Sequence, residues 1–355
     1  MSMDTTTMRI LNVLSADLGR PFSINQLTRK IKETYGTAYY ANIYNKLHDL
    51  EKQEFISLNR FGKSSMITLN FQNYLLTDLL AEFETRKKID AIINKTSLQM
   101  LLRKMDQYFG NQPSIKSICS IDLEKNIKLN RIELLFLLSS TDAGLARQEE
   151  TIMIYTKLRS LQSQYNLKID SLTLNEAEFK HFLESDEINP VKEMAFRKTI
   201  LFCPQAFWNE MREIIEKGAK IRTEETELNP ADIAETDLTY NLARFGYEEF
   251  GSTIKTGHKI CIENVITALM TQTSTRRIEA VPIILAKNDA NSSLLAFLSK
   301  KYEVPGKLLG LLKILAQARP REYVERTIKL LEALDVKEVK ADKRSILQRM
   351  TLYDA

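Results

Sequence analysis

The sequence predicts a helix-rich α+β protein that folds in three parts. An N-terminal unit has the pattern of three short helices followed by a strand hairpin. A central segment alternates strands with helices, and the C-terminal third shows only helical periodicity. At 355 residues the chain is too long for one ordinary domain. The expected segments are an N-terminal domain, a connecting helical segment, an α/β domain, a linker and a helical domain, at 5–72, 73–112, 113–216, 217–236 and 237–350.

The composition is typical of a folded protein in a reducing compartment. Hydrophobic residues make up 44% of the chain and charged residues 27%, which excludes a disordered chain. The net charge of +4 is small, so a nucleic-acid site has to arise from local charge. Cys119, Cys203 and Cys261 are far apart, so we expect buried thiols, no metal and no other cofactor. The chain shows no signal-peptide pattern and no apolar run long enough for a membrane, which predicts a cytoplasmic protein.

The N-terminal unit has recognisable helix starts and stops. Apolar residues recur at helical spacing from Thr5 until a Gly-Arg-Pro sequence ends the first helix. Ser23 is placed to cap the second helix, and Gly36 to end it. A third helix is predicted from Thr37, and strands over 55–59 and 66–70 are joined by a loop at 60–65. The buried face of the third helix is predicted to consist of Tyr40, Ile43, Tyr44, Leu47 and Leu50. Three helices and a hairpin in this order are typical of a winged helix.

The third helix of a winged helix enters the major groove of DNA. With that buried face, Thr37, Tyr39, Asn42 and Lys46 point outward, while the loop carries Arg60 and Lys63. Hydroxyl groups and lysine suit phosphates, and asparagine suits adenine. Residues 1–72 contain nine Lys or Arg and six Asp or Glu, a small positive excess. These six side chains are therefore the predicted contacts with double-stranded DNA.

A resemblance supports this prediction. The run TAYYANIYNKLHDLEKQEFI resembles the stretch from recognition helix to wing in winged helix-turn-helix transcription regulators, where two leucines three apart precede the wing. The resemblance implies transcription regulation. The alternative is a small helical module that contacts protein, because winged helices also serve in that way.

Beyond the hairpin the pattern is helical over 74–108, as a spacer, a dimerisation helix or the first helix of the next domain. The central segment then shows three strands, a long helix between the second and third, and further helices that include one over 189–200. The polar stretch 217–236 suits a linker. The C-terminal helices are followed by a basic tail over 336–350, which we expect to be solvated rather than to lie along DNA.

The central segment resembles the minimal nucleotidyltransferase family. That family has a Gly-Ser turn after its first strand, Asp-x-Asp on the second and a third carboxylate on a later strand, which together hold two Mg²⁺ ions. Here Cys119-Ser120 stands at the Gly-Ser position, Arg131-Ile132-Glu133 at the Asp-x-Asp position and Asp170 at the third. Cysteine crowds a turn that must approach phosphate, and Arg131 puts a cation where a metal ligand is needed. The departures predict a catalytically degenerate domain, in which Glu133 and Asp170 are satisfied by Arg131 or another cation.

Two uses of this domain stay open. Arg131 could let the former pocket bind an anion or a nucleotide as an effector without turning it over. The domain could otherwise serve assembly with a protein. The sequence thus predicts a homodimeric DNA-binding transcriptional regulator that is not an enzyme. The alternatives are an active nucleotidyltransferase with an atypical metal site, whose winged helix binds a nucleic-acid or protein substrate, and a protein-binding scaffold.

Overall fold

The structure is a computed structural model that describes residues 3–62, 64–139, 144–248, 256–272 and 275–354. It is an α+β fold in which helices surround two small sheets, so the predicted fold class is confirmed at this level. Lys63, one of the predicted DNA contacts, lies outside the described residues. None of the helices within these ranges is both long and apolar enough to cross a membrane.

The N-terminal unit contains three helices and one small sheet. Its elements are α1 (Thr5–Ala16), β1 (Phe22–Ser23), α2 (Ile24–Tyr35), α3 (Tyr40–Lys52), β2 (Ile56–Phe61) and β3 (Ser64–Leu69). The strands pair antiparallel in the order β1-β3-β2. Ser23 caps α2 through a capping box with Gln26, and Gly36 ends α2 at a φ of 79° that favours glycine, as predicted.

Two predicted boundaries in this unit are wrong. The third helix begins at Tyr40 rather than at Thr37, because Tyr39 has extended backbone with φ −112° and ψ 122°. The strands of the hairpin pair as far as Phe61 opposite Ser64, so the loop is much shorter than 60–65. Arg60 therefore lies within β2, opposite Ser65, and not at the tip of a loop.

The helical stretch predicted over 74–108 is two helices, α4 (Leu75–Ile92) and α5 (Thr96–Phe109). The break follows from Lys95, whose backbone is extended with φ −125° and ψ 78°. The Gln99 side-chain amide donates to the carbonyls of Ile92 and Ile93, which satisfies the end of α4. This pair of helices leads from the N-terminal unit into the central part of the chain.

The central sheet has four strands. Its elements are β4 (Ile115–Ile121), α6 (Leu123–Lys128), β5 (Arg131–Leu138), α7 (Gly144–Tyr165), β6 (Lys168–Asn175), α8 (Glu176–Glu184), α9 (Pro190–Phe196), β7 (Lys198–Phe202) and α10 (Pro204–Glu216). The strand order is β6-β5-β4-β7, with β5 and β6 parallel and the other two pairs antiparallel. The helix predicted over 189–200 is wrong, because it ends at Phe196 and the following residues pair with β4 as β7.

The remaining helices pack mainly on one face of this sheet, while Leu294, Phe297 and Leu298 reach the cluster on the other face. These helices are α11 (Glu235–Arg244), α12 (Ile262–Thr271), α13 (Thr275–Ile278), α14 (Ala280–Lys287), α15 (Ser292–Lys301), α16 (Pro305–Ala318), α17 (Glu322–Ala333) and α18 (Lys343–Leu352). Ile132, Leu134 and Phe136 of β5 belong to the hydrophobic cluster of these helices. Leu135 and Leu137 face the other way, into a cluster that contains α8, α10 and the N-terminal unit. The sheet is therefore the middle layer of the described structure.

Two segments expected to be solvated are packed. In the segment 217–236, Ile221 is buried and the Arg222 amide donates to the Leu183 carbonyl. The basic tail forms α18, in which Ile346 and Met350 are buried in the helical cluster. Both segments contain so few apolar residues that their composition does not reveal the packing. The predictions of a linker and of a solvated tail are therefore wrong.

Candidate functional site

α3 is held by three buried side chains, Ile43, Leu47 and Leu50. Tyr40 and Tyr44, which were expected to complete the buried face, are 48% and 40% exposed. At about 100° per residue the three aliphatic side chains occupy one narrow arc of the helix, and the two tyrosines lie beside it. The aliphatic arc alone anchors the helix, so the wider buried face is wrong.

The position of this arc shows which residues of α3 point away from the protein. Ala41 and Asn45 lie nearly opposite the aliphatic arc, and both are exposed. Asn42 is also exposed, on one flank of this outer face. The sequence prediction did not include Ala41 and Asn45, although both point outward even when the tyrosines are counted as core. Restricting the core to the aliphatic residues at i, i+4 and i+7 identifies them.

Aromatic side chains line the other flank of α3. Tyr39 is 70% exposed, and the rings of Tyr40 and Tyr44 stack with 6.0 Å between centroids and 22° between planes. The Tyr44 ring meets the His48 ring edge to face at 4.4 Å. Thr37 is exposed just before the helix, where its carbonyl accepts from an Arg9 guanidinium nitrogen at 3.2 Å. The flank thus offers hydroxyl groups and ring surface together.

The positive charge near α3 is more limited than the sequence indicates. Lys46 Nζ lies 2.8 Å from Asp4 Oδ2, and the Lys46 side chain is only 22% exposed. Arg60 is exposed on β2. Asp49 and Glu51 stand in the C-terminal half of α3. The N-terminal half is therefore the part of this helix that suits an approaching phosphate backbone.

The carboxylates of the central sheet form a closed cluster. Glu133 and Asp170 are direct partners on β5 and β6 and are 2% and 0% exposed. Arg131 contacts Glu133 Oε1 at 2.8 Å, and Lys301, from the end of α15, donates to Glu133 Oε2 at 2.9 Å. The ammonium group of a lysine from a distant helix thus occupies the position beside Glu133 that a metal ion would take.

Asp170 is also surrounded by lysines. Lys300 Nζ lies 3.6 Å from Asp170 Oδ1, and Lys168 Nζ lies 4.0 Å from Asp170 Oδ2. Burial lowers the pKa of Lys300, and the charge and hydrogen bond of Asp170 oppose that shift. Both buried carboxylates therefore have cations of the chain next to them.

Lys301 connects this cluster to three further charged groups. Its Nζ lies 2.7 Å from Glu227 Oε1, and Arg197 contacts Glu193 at 2.8 Å. Burial disfavours the Lys301 ammonium, but Glu133 and the other nearby carboxylates outweigh it and raise the pKa of Lys301 above its usual range. Burial raises the pKa of Glu193 to about 7. The cluster is a buried ion network of the kind that stabilises structure only when it is complete.

The position predicted to correspond to the Gly-Ser turn is not a turn. Cys119 and Ser120 lie within β4, and the chain turns at Asp122, whose φ is 42°. Ser120 pairs with Leu134, so it faces the opposite side of the sheet from Glu133. Arg131, Glu133 and Asp170 are therefore brought together, whereas Ser120 lies on the other face of the sheet.

The space beside Lys301, the partner of Glu133, is small. The cavity beside Glu193 and Lys301 has a volume of about 10 Å³, far below the several hundred that a nucleotide needs. A groove of about 1450 Å³ lies elsewhere, between α1, α2 and α6, and neither Glu133 nor Asp170 lines it. Within the described part of the chain, no three or more His, Cys, Asp or Glu side chains are grouped so that they could hold a metal ion.

The cysteines differ from one another. Cys119 and Cys261 are buried as expected, and burial raises the pKa of the Cys119 thiol to about 12. Cys203 is exposed, at the residue that precedes α10, so the prediction of a third buried thiol is wrong.

Similarity to known proteins assigns no function to α3 or to the carboxylate cluster. No protein-family model matches the chain, and no curated protein or solved structure is significantly similar to it. The geometry described above is thus the basis for assigning a function.

Proposed function

We propose that residues 3–71 form a winged helix that binds double-stranded DNA, and that the protein is a transcriptional regulator. The observation that carries the proposal is the outer face of α3, where Ala41, Asn42 and Asn45 are exposed. Packing of α3 is mainly against α1, α2 and β2 of its own unit. A helix fixed from behind and open in front has the geometry of a recognition helix.

The charges around α3 set the orientation of the duplex. Arg60 on β2 and the hydroxyl groups of Thr37 and Tyr39 are exposed and suit phosphate oxygens. In the C-terminal half of α3 the two carboxylates Asp49 and Glu51 outnumber the exposed Lys52 and would repel the backbone. We therefore place the N-terminal half in the major groove. Lys46, which was predicted to contact DNA, has a structural role in this proposal because it holds Asp4.

We further propose that the central sheet is a structural body and not a catalytic site. The lysines beside Glu133 and Asp170 support this, as does the small volume, about 10 Å³, of the cavity beside Lys301. The alternative, an active nucleotidyltransferase, requires Lys301 to leave the cluster. Transfer from labelled nucleoside triphosphates with Mg²⁺ or Mn²⁺, abolished by Glu133→Ala, would establish that alternative instead.

Fluorescence anisotropy with labelled duplex DNA tests the DNA-binding proposal. The double variant Asn45→Ala/Arg60→Ala should weaken binding roughly tenfold or more, because it removes one base contact and one phosphate contact. The matched control is Asn111→Ala/Arg103→Ala, which changes the same residue types at exposed positions remote from α3. The control should bind as the unmodified protein does.

Equal binding by both double variants would contradict the proposal, and absence of duplex binding would favour the protein-contact alternative. Two copies on one duplex are expected, because one winged helix covers a modest area and two half-sites multiply affinity. Sedimentation of the protein–DNA complex measures that stoichiometry.

A further inference from the structure

The outer face of α3 carries amides, a methyl group and aromatic rings, but no free cation in its N-terminal half. Ala41, Asn42 and Asn45 are exposed there, and Lys46 is ion-paired with Asp4 at 2.8 Å. We propose that α3 reads A·T base pairs in the major groove and discriminates against G·C pairs. This inference rests on the proposed DNA-binding function and specifies which DNA the protein selects.

The two purine bases offer different hydrogen-bonding groups in the major groove. Guanine offers two acceptors, O6 and N7, and the side chains that bind both are arginine and lysine. Adenine offers an acceptor and a donor, N7 and N6, which match the amide of asparagine. The N-terminal half of α3 presents Asn42 and Asn45, and its one lysine is held by Asp4. The available groups therefore match adenine and leave the two acceptors of guanine without a charged donor.

The two pyrimidine bases also differ in the major groove. Thymine differs from cytosine in the major groove by its 5-methyl group, which binds apolar surface, whereas the cytosine amino group seeks a carboxylate. Ala41 supplies a methyl group on the outer face, and the stacked rings of Tyr40 and Tyr44 supply apolar surface on its flank. The first carboxylate of α3 is Asp49, more than two turns after its start. The pyrimidine strand is thus also matched to thymine.

Different residues are expected to contact the bases and the phosphate backbone. Arg60 lies on β2, away from the outer line of α3, and Tyr39 precedes the helix. These groups suit phosphates, which are the same for every sequence. Removing Arg60 should therefore weaken binding to all duplexes alike, whereas removing Asn45 should weaken binding to A·T-containing sites selectively.

The test begins with selection of bound sites from a random duplex library by the full chain. A·T pairs should be enriched at the centre of the recovered sites. Two modified duplexes then remove single groups from a recovered site: 7-deazaadenine lacks the purine N7, and deoxyuridine in place of thymidine lacks the methyl group. 7-Deazaadenine should reduce the affinity of the unmodified protein roughly fivefold or more at the contacted position. Deoxyuridine should also reduce it.

The variants identify the contacting residues. One of the variants Asn45→Ala and Asn42→Ala should bind the normal and the 7-deazaadenine duplex with equal affinity. That variant lacks the amide that uses N7. 7-Deazaguanine at a flanking G·C pair is the control and should have no effect. Enrichment of G·C at the centre, or full affinity for both modified duplexes, would overturn the inference while leaving DNA binding intact. Failure to retain any duplex would instead remove the proposed function itself.

Discussion

The ion network around Lys301 can be tested by Lys301→Met, which keeps a side chain of similar length and removes the charge. Lys301 is 5% exposed and lies 2.9 Å from Glu133 and 2.7 Å from Glu227. In the variant, Glu133 keeps only the contact with Arg131. Glu227 keeps Arg197, at 4.0 Å.

The expected loss in the free energy of unfolding follows from the burial of Lys301. Removing one partner of a buried ion pair costs about 3–5 kcal/mol, because the remaining charges have lost solvent without keeping their counter-charge. The entropy of unfolding is roughly 0.7 kcal/mol/K for a chain of this length that unfolds cooperatively. The Tm should therefore fall by about 4–7 °C.

Circular dichroism measures both changes, the loss of free energy by urea unfolding and the fall in Tm by thermal unfolding, and the control is Lys313→Met. Lys313 also contacts two carboxylates, Glu332 at 3.1 Å and Glu338 at 3.3 Å, but its side chain is 37% exposed, against 5% for Lys301. Its removal should leave the urea midpoint unchanged within error.

A second substitution separates lost charge compensation from lost packing. Lys301→Met/Glu133→Gln should recover part of the stability, because it removes one of the two carboxylates that have lost the Lys301 charge. The reasoning is refuted if Lys301→Met is as stable as the unmodified protein, or if the double variant is no more stable than the single one.

Three further predictions concern titration, thiols and salt. Burial raises the pKa of Glu193 to about 7. The folded state therefore keeps a proton that the unfolded state releases near pH 4.3, and the free energy of unfolding falls by up to ~3 kcal/mol as the pH rises from about 4 to 8. Urea unfolding of Glu193→Gln should lack this fall, and the same pH dependence in both proteins would contradict it. Ellman's reagent should modify Cys203 in the native protein and reach Cys119 and Cys261 only after unfolding, because both are buried; rapid reaction of all three would contradict the packing. The slope of log affinity for duplex DNA against log salt should become less steep by about 1 in Arg60→Ala, and an unchanged slope would exclude a phosphate contact.

Local rules predicted the helix ends of the N-terminal unit but not the exposed side of α3. Ser23 and Gly36 act through neighbouring backbone, so their roles are visible in the sequence. The faces of Tyr40 and Tyr44 depend on what packs against them, and tyrosine suits both core and surface. Asn45 lies on the outer face of α3 even when both tyrosines are counted as core, so helix geometry alone could have identified it.

The closed carboxylate cluster was harder to predict. Glu133 and Asp170 were identified as charged strand residues, but Lys301 is 168 positions from Glu133 along the chain. Only the packing of α15 on β6 brings the lysine to the carboxylates. The first residues of β7 were assigned to a helix because Arg197 alone separates β7 from α9, with no glycine or proline to mark the change.

The central claim, that the outer face of α3 contacts DNA, is tested most directly by photocrosslinking from position 45. In a Cys203→Ser background, which removes the exposed thiol, Asn45→Cys carries an azidophenacyl group and is illuminated with bound duplex. We expect a crosslink to DNA from Asn45→Cys and none from Asn111→Cys. Binding of the duplex without a crosslink from position 45, or equal crosslinking from both positions, would contradict it.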